Sequence, residues 1–101
     1  MRPSTEISSW RETRKLEELV SIGPAMLRDF EMLGIRHVTQ LARQNPRELY
    51  RRLGKLTGRQ DICCLDVFQA AVAQARNPLL PAEQCVWWYW SRRRKARRAQ
   101  A

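Results

Sequence analysis

The clearest chemistry in this sequence is backbone chemistry, and it sits between Leu16 and Met26. Ser21-Ile22-Gly23-Pro24 separates two apolar-periodic runs. Pro24 fits the first position of a helix, where its missing N–H costs nothing. Gly23 permits a close backbone approach or a positive φ. The helix that begins there presents free N–H groups and the positive end of its dipole, which makes an anion site from backbone alone. The predicted ligands are the amides of Gly23, Ala25 and Met26, because Pro24 has none. A DNA phosphate fits such a site without any reading of base sequence. Arg28, one turn on, and Arg36 are candidates to add charge.

Other cations flank this site in sequence. Arg51, Arg52, Lys55 and Arg59 surround a second glycine turn between Gly54 and Gly58, a candidate second phosphate contact. The run Arg92-Arg93-Arg94-Lys95-Ala96-Arg97-Arg98 is read as a solvated, disordered tail, with Arg92, Arg93, Arg94 and Lys95 as candidate nucleic-acid contacts. Trp87-Trp88-Tyr89-Trp90 precedes it. Successive helical residues lie about 100° apart, so these four rings cannot all face one core. The expected arrangement has Trp87 or Trp88 covering the fifth helix with Tyr89, and Trp90 at the rim. Any exposed ring suits a protein interface, base stacking or a membrane surface.

The 101 residues carry 19 Lys+Arg and 10 Asp+Glu, a formal charge of +9. That excess favours an anionic partner, nucleic acid before a membrane surface. The charge is uneven. Residues 91–101 hold six basic and no acidic residues, which leaves 13 basic and 10 acidic, a net of +3, for residues 1–90.

Catalytic constellations are missing from the sequence. It has no Ser/His/Asp set and no Gly-rich phosphate loop, and Asp61 and Asp66 are five apart, so they do not share a helix face cleanly. The single histidine, His37, is read as a capping or surface residue. Cys63, Cys64 and Cys85 have no CxxC or Cys/His spacing for zinc. They are read as reduced, core-filling thiols. We therefore expect a non-enzymatic protein without metal or cofactor. No apolar run approaches 18 residues and the N-terminus lacks a signal peptide's apolar stretch, so a cytoplasmic protein is the expectation.

Positioning these groups requires helices. No stretch alternates apolar and polar residues with β-branched enrichment, so the chain reads as all-α. A first helix is predicted from about Trp10 or Arg11 to Val20, carrying Leu16, Leu19 and Val20. The second begins at Pro24, buries Met26, Leu27, Phe30 and Leu33, and stops at a left-handed Gly34. A third covers about Val38 to Arg43. Asn45-Pro46-Arg47-Glu48 caps a fourth that buries Leu49, Tyr50 and Leu53 and ends near Gly54. Asp61 caps the fifth, whose stripe is Ile62, Leu65, Phe68, Val72 and Ala75, and Asn77-Pro78 ends it. Pro81-Ala82-Glu83 starts the sixth. Residues 1–9 are expected to be a flexible N-terminus, 10–90 the folded domain and 91–101 the basic tail.

Leu16, Leu19, Ile22, Gly23 and Pro24 match the core Leu-x-x-Leu-Pro-Gly-Ile-Gly-Pro-Lys, so the segment resembles the helix-hairpin-helix family of non-specific DNA-binding motifs. Val20, Ser21 (at the motif's first glycine) and Ala25 (where a basic residue is common) depart from it. The continuation through Phe30, Leu33-Gly34-Ile35, Val38, Leu41 and Pro46-Arg47-Glu48-Leu49-Tyr50 is similar to the C-terminal domain of TfoX-type competence regulators. It is closer to a small bacterial "pathogenicity locus" family of helix-hairpin-helix proteins, which Asp61–Phe68, Ala75-Arg76-Asn77-Pro78 and Trp87–Ser91 also resemble. The likeness spans residues 14–94. It implies a compact bundle of five to six short helices of the SAM/helix-hairpin-helix kind that binds DNA, with no assigned reaction. The expected function is sequence-nonspecific binding of double-stranded DNA. The alternative is a protein-interaction module, with a homodimer as one form, that uses Trp87, Trp88 and Trp90.

Overall fold

The computed structural model describes residues 12–58 and 61–100, with Gln100 described by its backbone alone. The expected Arg59 contact, the flexible 1–9 segment and the predicted start at Trp10 or Arg11 lie outside these residues. The described residues form five α-helices and no strand, the expected all-α class. They are α1 (Pro24–Met32), α2 (Val38–Ala42), α3 (Pro46–Thr57), α4 (Cys63–Arg76) and α5 (Trp87–Gln100), with 3-10 turns at Leu16–Glu18 and Ala82–Gln84.

The core is built around α4, which packs against α2, α3 and α5. Its Leu65, Phe68, Val72 and Ala75 are buried on the predicted stripe, with Ala71 beside them, while Ile62 at its head stays exposed. Phe30 of α1 meets Phe68 with ring centroids 6.0 Å apart, and Leu41, Leu49 and Leu53 are fully buried beside them. Burial of such side chains contributes about 1.5–3 kcal/mol each, which fixes α1, α2 and α3 on α4.

Local signals set most of the boundaries. Gly34 takes φ +80°. The Ile35 amide then donates to the Phe30 carbonyl at 2.8 Å and the Gly34 amide to Glu31 at 3.1 Å, which closes α1 in a Schellman motif. The Asn45 side chain accepts from the Arg47 amide at 2.9 Å, and Pro46 opens α3. The Asp61 carboxylate accepts from the Cys63 amide at 3.1 Å and caps the entry to α4.

Four expectations are corrected. The first helix is, in the described residues, only the 3-10 turn Leu16–Glu18, and Lys15 before it is extended. Glu12 accepts from the Arg14 backbone amide at 2.8 Å, a local bond that competes with helix, and the Arg14 guanidinium reaches away to the Gln74 and Ala75 carbonyls at 3.0 and 3.3 Å. Next, α3 does not stop at Gly54. It runs to Thr57 and ends at Gly58, φ +92°. Pro81-Ala82-Glu83 opens a 3-10 turn and not the last helix, which starts at Trp87. Finally, the basic run is not a disordered tail. It is the second half of α5, held because Arg94 pairs with the buried Asp66 on α4 at 2.9 and 3.0 Å.

Candidate anion-binding surfaces

Ser21 is the one described non-glycine residue with positive φ, at +71°. The chain thus takes a left-handed turn at the position where the resembled motif has glycine. The turn is fixed from both sides. Ile22 is buried beneath it, while Gln74 of α4 receives the Val20 amide at 2.9 Å and donates to the Val20 carbonyl at 2.9 Å and the Cys85 carbonyl at 3.3 Å. One buried side-chain amide therefore satisfies both backbone groups of Val20.

Beyond the turn, Gly23 is extended, φ −105° and ψ −173°, and caps α1. It does not need positive φ, and a Cβ there would meet nothing within 4 Å. The first closed ring of α1 runs from the Leu27 amide to the Gly23 carbonyl at 3.0 Å. The amides of Ala25 and Met26 lie ahead of it and point out of the helix end. Ala25 and Arg28 are exposed, and Met26 is half-buried with its side chain packed against the core. A hollow of about 360 Å³ that reaches Leu27 is lined by Arg14, Lys15, Leu16, Glu17, Arg36 and His37. His37 caps α2 with an exposed ring, and its amide donates to Gln40 Oε1 at 3.1 Å. The geometry can hold an anion on two amides with cations nearby.

Several predicted cations are already occupied. Arg52 donates to the Leu33 carbonyl at 3.1 Å and so caps the end of α1, and Arg51 pairs with Glu48. Of that cluster Lys55 stands exposed and Arg59 lies outside the described residues. The second glycine turn is not the expected one, since Gly54 is inside a helix. Arg76 also serves as a cap, donating to the Ala42 and Gln44 carbonyls at 2.9 Å each. Together with Arg14, these make three arginines that satisfy C-terminal carbonyls of other helices.

The basic half of α5 divides into two faces. Arg92 and Lys95 are exposed and stand apart from the rest. Arg93, Arg94, Arg97 and Arg98 recur at i, i+4 spacing and converge with Arg47 of α3 on one groove of about 440 Å³. Its apolar surface comes from Ile62, Leu65 and Trp90. Arg93 lies 5.6 Å from the Trp90 ring centroid and 5.8 Å from that of Tyr89, and the Trp90 indole N–H donates to the Gln84 carbonyl at 2.9 Å. Trp88, and not Trp90, is the exposed ring, at 49%. Arg47, Arg97 and Arg98 were not singled out in the sequence. The signal for the last two was their i, i+4 repeat, which has meaning only once the run is a helix.

The thiols do not form a reactive cluster. Cys85 is buried, Cys63 and Cys64 are half-buried, and no disulfide links the three. Burial pushes the Cys64 and Cys85 thiols up, away from the reactive thiolate. Among the described residues no group of three or more His, Cys, Asp or Glu could hold a metal ion, and no helix is long and apolar enough to cross a membrane.

Comparison with known proteins gives two matches. A family model described as the pathogenicity locus matches residues 9–96. A protein described as mitomycin resistance protein McrB, from Streptomyces lavendulae, is 41% identical over 81 residues, 79% of this chain and 73% of that relative. No solved structure matches.

Proposed function

This chain belongs to the pathogenicity-locus family, and we propose that it is a non-enzymatic protein that binds the DNA backbone without sequence preference through a helix-hairpin-helix-like turn. The observation that carries this reading is the left-handed Ser21 followed by an extended Gly23, which leads into α1 with the Ala25 and Met26 amides facing outward. The phosphate sits on those amides, and Arg28 and Arg36 supply the surrounding charge. Open space above Gly23 lets the phosphate approach the backbone. The relative's name assigns that protein to mitomycin resistance, a role that specifies no reaction and is compatible with a small binding protein.

Fluorescence anisotropy with two unrelated 20-base-pair duplexes tests the reading. Both should bind alike, and log affinity should fall linearly with log salt. Ala25→Glu puts a carboxylate at the start of α1, where it favours the helix but repels phosphate. It should weaken duplex binding at least tenfold with the fold intact by circular dichroism. Unchanged binding by that variant would remove the turn from the mechanism.

Trp88 supports a second reading, a protein contact on α5, because a half-exposed indole is a common interface anchor. Sedimentation of the native chain and of Trp88→Ala tests it. A dimer that the substitution dissolves would support it, and a monomer for both would remove self-association from consideration.

A further inference from the structure

We infer that the groove between the head of α4 and the basic face of α5 is a second nucleic-acid site, one that takes an unpaired strand. This inference does not depend on the α1 turn. Three features carry it. The first is charge: the groove gathers Arg47, Arg93, Arg94, Arg97 and Arg98, and among the described residues only Arg94 of these has a carboxylate partner, Asp66 beneath it. Arg47, Arg97 and Arg98 make no ion pair among the described residues. The second is spacing: on one helical face, cations four residues apart recur about every 6 Å, which suits the successive phosphates of a strand better than a single anion.

The third is the apolar floor. Ile62 is 41% exposed at the head of a helix whose next stripe residue, Leu65, is buried. Duplex phosphates have no use for such a surface, because the bases are inside the duplex. An unpaired base needs an apolar or planar platform, and this groove offers Ile62 beside the Arg93–Trp90 stack. Phosphates on Arg47, Arg97 and Arg98 would then place a base over the floor. The backbone reading of the α1 turn cannot distinguish single from double strand, and this groove can.

The test uses the full chain and a labelled twelve-nucleotide oligo-dT, followed by anisotropy at low salt. Arg97→Ala with Arg98→Ala removes two groove cations. Arg92→Ala with Lys95→Ala removes the same charge from the outer face of the same helix. All four side chains are exposed and alanine favours helix, so both double variants should fold. The groove pair should weaken oligo-dT binding at least tenfold and the outer pair less than threefold. Ala25→Glu, which acts at the α1 turn, should lower duplex affinity at least tenfold and oligo-dT affinity less than the groove pair does. Ile62→Ser should weaken oligo-dT at least threefold without changing the affinity for inorganic polyphosphate. Equal losses for the two arginine pairs would reduce the binding to diffuse charge and overturn the site. Ile62→Ser without effect, or a duplex that competes for the groove as well as oligo-dT does, would overturn the unpaired-strand assignment.

Discussion

Gln74 shows how much a single side chain can decide. Its amide holds Val20 by both backbone groups and reaches the Cys85 carbonyl as well, so it ties the turn before α1 to the segment before α5. Gln74→Ala leaves the part-buried Val20 amide and carbonyl and the Cys85 carbonyl without this partner, and the expected loss is about 1–2 kcal/mol in urea unfolding. The sequence offers no sign of this role, because Gln74 is one of several polar residues on α4 and its partner is 54 residues away. Ser21 was more legible. The spacing marks Ser21-Ile22-Gly23-Pro24 as a turn and allows a close backbone approach or a positive φ at Gly23, whereas it is Ser21 that adopts the positive φ. The cysteines carry a pH prediction. Burial raises the Cys64 and Cys85 values, so folding favours the neutral thiol. The stability they contribute should be complete below about pH 8.5 and be lost as pH rises through their higher folded values. Iodoacetamide labelling at pH 8, read by mass spectrometry, should modify both more slowly in the native chain than in urea.

Helix boundaries were readable wherever one residue sets them. Gly34 and Asn45 act within a few residues of themselves, and their types alone predict the Schellman stop of α1 and the capped start of α3. Boundaries that depend on distant partners were not readable. Leu16, Leu19 and Val20 have a spacing that suits a helix as well as a 3-10 turn, and the choice is made by Arg14 reaching the end of α4. Gly54 was read as a stop because glycine disfavours helix, yet Leu53 is fully buried beside it and the packing of α3 on α4 carries the helix through. That override leaves a correctable weakness. A Cβ at Gly54 would meet nothing within 4 Å and no positive φ is needed there. Gly54→Ala should therefore stabilise the protein by about 0.5–1 kcal/mol, seen as a higher urea midpoint with an unchanged slope.

At the scale of the whole molecule, the sequence divided the charge into a mildly basic domain and a cationic arm, and the fold joins them. Asp66 is 1% exposed in the side chain, and Arg94, 28 residues later, is its ion-pair partner. Neither residue announces this. Asp66 interrupts an apolar stripe and Arg94 is one of six similar cations, so the pair is visible only once α5 lies on α4. The arginines that look free in sequence fall into separate groups. Arg14, Arg52 and Arg76 hold the helices to one another, Arg94 docks the last helix, and Arg51 pairs with Glu48 on its own helix. The consequence separates a structural helix from an appended arm. A chain cut after Ser91 leaves the Asp66 carboxylate buried without its partner, and removing one member of a buried pair costs about 3–5 kcal/mol. Because Arg94 keeps some solvent contact, the lower end of that range is expected, with a clearly lowered urea midpoint. A chain cut after Ala96 keeps Arg94 and loses Arg97 and Arg98, so its stability should stay within about 1 kcal/mol of the full chain. If both truncations unfold at the same urea concentration as the full chain, the ion pair does not anchor α5 and the basic run behaves as the independent arm that its composition suggested.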